Sequence, residues 1–162
     1  DRVETHAADV EVISSLSAVG LAQGTFNRVL MNPPFHDATK QNVSPEPRRR
    51  LAYAASPGLL TRWIASAAWL LKPQGLLTLI WRADELTAVQ EALSAAFGDV
   101  AVMPVYPRAE APPIRVLVRA VKSAKGAYVT HAGLVLNDAQ GKPTAAAEAV
   151  LRRGEALILA GG

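Results

Sequence analysis

The chain contains no cysteine, which excludes a disulfide scaffold, a thiolate zinc site and a cysteine nucleophile together. A cysteine-free chain fits a reducing, cytoplasmic compartment. Long hydrophobic runs are missing as well: the longest strand-like run, Leu76–Trp81, falls far short of the roughly 18 to 20 residues a membrane span needs, so no membrane span is expected. Histidine is scarce, and His6, His36 and His131 show no HxH or HxxxH spacing, so no His-built metal site is expected. Charged residues are only 19% of the chain, with 17 Lys and Arg against 14 Asp and Glu. That small positive excess is compatible with a nucleic-acid partner without identifying one. Half of the 162 residues are hydrophobic, which excludes general disorder and suits one domain.

From Ser56 onward the pattern alternates between helix and strand. Ser56-Pro57 reads as a cap followed by proline in the first helical position. Leu60, Ile64 and Leu71, with Leu59, Trp63 and Ala67 alongside, recur at helical spacing. Lys72-Pro73-Gln74-Gly75 stops that helix, and Leu76–Trp81 reads as a strand buried on both faces, as in parallel sheets. Asp84 is expected to cap a second helix carrying Leu86, Val89, Leu93 and Phe97 and closed by Gly98. Strands are expected at Val100–Val105 and Ile114–Val121, separated by a proline-stiffened loop. Further on, Tyr128–Leu136 reads as a strand pair, Asp138–Pro143 as a turn and Thr144–Arg153 as an Ala-rich helix. Such alternation implies an α/β layered domain.

The chemistry concentrates where the strand-like run Phe26–Met31 delivers Asn32-Pro33-Pro34-Phe35. Ligands bind at the carboxyl ends of strands in open α/β sheets. The two prolines fix φ and remove two donors, leaving outward carbonyls with little freedom. Asn32 adds a side-chain acceptor and Phe35 a planar face. Two acceptors and an aromatic plane suit a planar ring bearing an exocyclic amine. Taken alone, the tetrapeptide could equally be a turn after a strand. The apolar strand before it, and the helix, Lys-Pro-x-Gly stop and strand after it, favour the functional reading.

Asn32-Pro33-Pro34-Phe35 resembles the substrate motif of class I S-adenosylmethionine-dependent methyltransferases that act on amino groups. Ala7-Ala8-Asp9-Val10 is similar to the strand-end segment that contacts the cofactor adenine, and Leu71–Leu77 to the family's helix-to-strand turn. Val105-Tyr106-Pro107-Arg108 and Pro112–Val118 resemble the distal region of the bacterial tRNA1(Val) adenine-N6 methyltransferases and their methyltransferase small domain relatives. The resemblance implies a Rossmann-like class I fold of which the chain holds the C-terminal two thirds, strands three to seven, in the order 3-2-1-4-5-7-6 with strand seven antiparallel. It implies S-adenosylmethionine as cofactor, contacted by Asp9 and Asn32. The catalytic motif is then Asn32, Pro33, Pro34 and Phe35, acting on adenine N6 of a tRNA. Related motifs serve guanine-N2 methyltransferases of rRNA, which Asn32-Pro33-Pro34-Phe35 followed by His36 also resembles, and protein-glutamine methyltransferases.

The chain departs from the family: no G-x-G occurs anywhere, so the glycine loop that lets backbone approach the cofactor is absent, and so is the acidic residue after the second strand that holds the ribose. A non-catalytic RNA-binding module is the alternative this feature supports. With residues 2–8 as strand three and 26–31 as strand four, strands one and two are missing between them. The expectation is therefore a single methyltransferase domain over residues 1–162 that continues, at its N-terminus, into a longer polypeptide.

Other candidates are weaker. Arg48, Arg49 and Arg50, with Lys40 before them, follow the motif and could grip RNA phosphates, although charge runs are often plain solvated loop. Arg115 and Arg119 share one face of a strand, where snorkelling at the sheet end is the simpler account. His36 is not expected to act as a base. Trp63, Trp69 and Trp81 fall in helix and strand patterns and are expected in the core rather than as stacking platforms.

Overall fold

The computed structural model describes residues 3–34, 58–157 and 159. Along the chain run α1 (Ile13–Ala18), β1 (Phe26–Met31), α2 (Leu59–Leu70), β2 (Leu71–Arg82), a short 3-10 turn (Ala83–Glu85), α3 (Leu86–Leu93), β3 (Phe97–Tyr106), β4 (Arg115–Lys122), β5 (Tyr128–Thr130), β6 (Leu134–Val135) and α4 (Ala145–Arg153). The strands form one sheet in the order β1-β2-β4-β3-β5, with β6 also pairing β3. β1 and β2 are parallel, and β4 is antiparallel to both β2 and β3. This is the expected order of strands four, five, seven and six, with the antiparallel strand set between its neighbours. The α/β expectation holds.

Strand three does not form. Residues 3–8 carry no strand, because a strand needs a neighbour to satisfy its backbone. Among the described residues, β1 pairs only with β2.

Alternation along the strands sorts side chains to two faces. Leu77, Leu79 and Trp81 of β2 face the same way as Val116, Val118 and Ala120 of β4, their register partners. All six are buried, together with Leu59, Leu60, Ile64 and Ala67 of α2 and Val89 and Leu93 of α3. Both helices therefore cover this face, and Val29 and Met31 of β1 pack against the same core. On the opposite face Thr78, Ile80, Leu117 and Arg119 remain half-buried and Leu30 is exposed.

Boundaries shift where tertiary partners compete with local signals. α2 begins at Leu59 with Gly58 as its cap in the left-handed region; Ser56 and Pro57, the expected start, lie outside the described residues. The helix ends at Leu70, and β2 extends the expected strand in both directions. Asp84 does not cap α3. It sits in the 3-10 turn and binds Arg82 instead. Phe97 and Gly98 belong to β3 rather than to the end of a helix, since Phe97 pairs with Lys122 and Gly98 with Val121. The strand expected at Ile114–Val121 runs Arg115–Lys122.

The strands within Tyr128–Leu136 do not pair with each other: β5 and β6 each run parallel to β3. Asp138 forms the expected turn, its Oδ1 accepting from the amides of Gln140 and Lys142, each at 2.9 Å. α4 forms as read, with Thr144 Oγ1 accepting the Ala147 amide at 3.1 Å and Gly154 closing it in the left-handed region. Trp81 is buried, while Trp63 and Trp69 are half-buried. Among the described residues no helix is long and apolar enough to cross a membrane.

Candidate functional site

Asn32 follows directly on the last residue of β1, so it emerges at the carboxyl end of a parallel strand pair. Its side chain is exposed, and it makes no hydrogen bond to the described residues. Pro33 is the opposite: it is among the most completely buried residues of the chain. A buried ring with fixed φ anchors the backbone here, and the exposed amide before it is held at the sheet's rim. Pro34 returns to the surface. Phe35, His36, Lys40 and Arg48, Arg49 and Arg50 lie outside the described residues.

Asp9 sits in the turn that leads into α1. Its Oδ1 accepts the Glu11 amide at 2.9 Å, its own amide donates to Ser15 Oγ at 2.9 Å, and its carbonyl accepts from Val12 at 3.2 Å. Asp9 therefore serves the turn itself, which occupies one carboxylate oxygen. What pulls this turn toward Asn32 is a contact that the sequence reading missed. Arg62 donates to Glu11 Oε2 from Nε at 2.7 Å and lies within 2.6 Å of it through Nη2. Arg62 is in the first turn of α2, and in a βαβ crossover that turn sits at the carboxyl end of the preceding strand. The pair thus draws Asp9 to the same end of the sheet as Asn32. No local signal marks a contact between residues 51 apart.

A cavity of about 510 Å³ opens on the helix-covered face near this end, lined by Leu59, Leu60, Trp81, Glu85 and Glu91 among others. Trp81 Nε1 donates to Glu85 Oε2 at 2.8 Å, fixing that carboxylate. Among the described residues no three His, Cys, Asp or Glu side chains are grouped to hold a metal ion.

The methyltransferase small domain family matches residues 1–105. The chain belongs to that family. Its members are methyltransferases, and S-adenosylmethionine is the methyl donor that accompanies them. A predicted O-methyltransferase, protein Atu636 from Agrobacterium tumefaciens, aligns over 88% of this chain and 59% of its own, with 23% identity and a TM-score of 0.69; it shares the fold. The M1.HpyAVI–SAM complex aligns over 80% of this chain and 62% of its own, with 16% identity and a TM-score of 0.43. The chain thus spans about three fifths of the length of each of these solved structures. No curated protein matches it.

Proposed function

We propose that the protein transfers a methyl group from S-adenosylmethionine to the exocyclic amine of a nucleic-acid base, with adenine N6 in tRNA as the target. The observation that carries this reading is the exposed Asn32 anchored by the fully buried Pro33 at the carboxyl end of β1. Membership of a methyltransferase family supports it.

The residues present fit the cofactor in kind. Asp9 and Asn32 both offer oxygen acceptors at one end of the sheet, suited to the N–H groups of an adenine and to the region next to the acceptor amine. They are the residues that would hold it. S-adenosylmethionine, when bound, supplies an electrophilic methyl group.

The work left to the protein is positioning. A base amine is a poor nucleophile because its lone pair is delocalised into the ring. The Asn32 side-chain oxygen and the Pro33 carbonyl accept its two N–H bonds, which favours pyramidal nitrogen and frees the lone pair. Those bonds strengthen as positive charge develops on nitrogen, which is the differential binding that catalysis requires. The amine then sheds a proton acidic enough for water to take, so His36 has no assigned role. In this reading Phe35 supplies the plane that stacks on the base, a contact worth on the order of 1–3 kcal/mol, and Arg48, Arg49 and Arg50 supply charge for the RNA phosphates.

The test is methyl transfer to unmodified tRNA, read by mass spectrometry of its nucleosides. Asn32→Ala should lower turnover by on the order of 10²-fold or more, the effect of removing one positioned polar group. Wild-type turnover by Asn32→Ala would overturn the mechanism, and a methylated product other than N6-methyladenine would overturn the target.

A further inference from the structure

The cavity between α2 and α3 is not used by the Asn32 mechanism. Its volume of about 510 Å³ falls within the roughly 300 to 1,000 Å³ of small-molecule sites. Its floor includes the buried Trp81. Trp81 lies two residues past Leu79, which pairs with Met31 in the parallel register. The floor is therefore level with Pro33, at the strand end that carries Asn32. Glu85, Ala88 and Ala92 line the α3 side, and their spacing sets them on one helical face. The two small alanines leave room for a flat ring between α3 and Leu59 and Leu60 of α2.

The polar groups of this cavity are of two kinds, carried by different elements. Glu85 occupies the N-cap position of α3, yet its side chain caps none of that helix's amides. Its Oε2 accepts the Trp81 indole N–H at 2.8 Å instead, and its Oε1 lies 3.8 Å from Arg82 Nη1. A carboxylate offers about four lone-pair sites, so Glu85 is held in place and keeps acceptor capacity for a ligand. On the α2 side, the cap Gly58 and the first turn of the helix form the wall. The opening amides of a helix have no partner inside it and favour an oxygen acceptor.

We infer that this cavity holds a guanine base of the nucleic-acid substrate, a neighbour of the target base, and that Glu85 reads it. Guanine carries a carbonyl oxygen, a ring N–H and an amine in one row along its edge. The carbonyl suits the α2 amides, and the two nitrogens donate as a pair to the Glu85 carboxylate. Adenine presents a bare ring nitrogen where guanine presents N–H, which sets a lone pair against the carboxylate. The guanine amine is engaged by Glu85, so it is not the amine offered for methylation. Glu91 also lines the cavity, but it is exposed and has no part in the contact. This inference rests on the nucleic-acid reading of the function and adds a second base that the site selects.

The experiment is calorimetric titration of the full protein with guanosine, inosine, 1-methylguanosine and adenosine. Guanosine should bind, and inosine should bind several-fold more weakly because it lacks the amine. Adenosine and 1-methylguanosine should be weaker by about tenfold or more, the discrimination of a lost bidentate pair. Glu85→Gln should erase this ranking while melting close to wild type, since glutamine keeps an oxygen for Trp81 but turns an N–H₂ group to the ligand. Glu91→Gln should leave the ranking in place. Ala88→Leu fills the slot without touching Glu85 and should weaken guanosine several-fold. Equal affinity for guanosine and adenosine, no guanosine binding, or a wild-type ranking in Glu85→Gln would each overturn the assignment. Guanosine binding unchanged by Ala88→Leu would overturn it too. The outcomes separate this inference from the proposed reaction. Methyl transfer to tRNA without guanosine binding sinks the cavity assignment alone, and a Glu85-dependent ranking without methyl transfer sinks the reaction alone.

Discussion

Glu11 and Arg62 meet across 51 residues of sequence, with one carboxylate oxygen taking both guanidinium contacts at 2.7 and 2.6 Å. The pair fastens the α1 turn to the first turn of α2. Both side chains are only partly exposed, 27% for Glu11 and 39% for Arg62, so solvent screens the pair incompletely. Glu11→Gln should cost about 0.5–1 kcal/mol of stability, near the upper range for such pairs. Chemical denaturation of both proteins at low and at high salt checks this, and the gap between them should narrow at high salt. An equal midpoint under both conditions would show that the turn is fixed by Leu16 burial instead.

The Asn32 assignment makes a graded prediction. Asparagine and aspartate both present a side-chain oxygen to the amine, whereas alanine presents none. Asn32→Asp should therefore retain more turnover than Asn32→Ala, with both variants melting within about 0.5 kcal/mol of wild type because the side chain is exposed. Parallel turnover and melting measurements decide it. Equal losses in the two variants would mean that Asn32 acts other than as an acceptor.

Much of the sheet was legible in the sequence, because burial writes itself into apolar runs. Leu76–Trp81 read as a strand and became the heart of β2, and Thr144 with Gly154 bounded α4 as their chemistry dictates. What failed were features whose cause lies elsewhere in the chain. Asp84 had the composition of a helix cap, but Arg82 two residues earlier took its carboxylate. Phe97 continued a helical spacing, yet its partner on β4 drew it into a strand. α1, with three serines in six residues, has little intrinsic signal and depends on burying Leu16. β5 and β6 looked like a hairpin because hairpins are local; their partner is β3, some 30 residues back. At the candidate site, the placing of Asn32 directly after a strand was legible in the order of the residues, whereas the Glu11–Arg62 clasp and the Arg82–Arg115 register pair exist only through pairing.

Asp84 gives a pH dependence with a definite sign. Its carboxyl titrates below the ordinary value of 3.8, chiefly through the Arg82 hydrogen bond. A depressed pKa contributes stability that is present above the unfolded value and is lost as pH falls through the folded one. Wild type should therefore exceed Asp84→Asn in stability at neutral pH, by a small margin because the group is largely exposed. The two should converge as pH drops below about 3.8. Denaturant unfolding across pH 2 to 7, on the order of ten points, reads the convergence. A gap that persists to the acid end would assign Asp84 a role independent of its charge.

The edge of the sheet supplies the last prediction. Among the described residues β1 pairs on one side only, and Leu30 on it is 78% exposed with Phe26 at 37%. An apolar edge strand is a template for pairing with another chain. Leu30→Lys places a charge on that edge, and natural edges use lysine for this purpose. The substitution removes almost no buried surface, so unfolding stability should change by less than about 0.5 kcal/mol. Self-association should fall, since pairing a second β1 against the edge would bring two lysines into one interface. Light scattering over a concentration series, with denaturant unfolding alongside, measures both quantities. Unchanged association would place the sticky surface elsewhere, and a loss of stability above about 1 kcal/mol would mean that Leu30 is covered in solution.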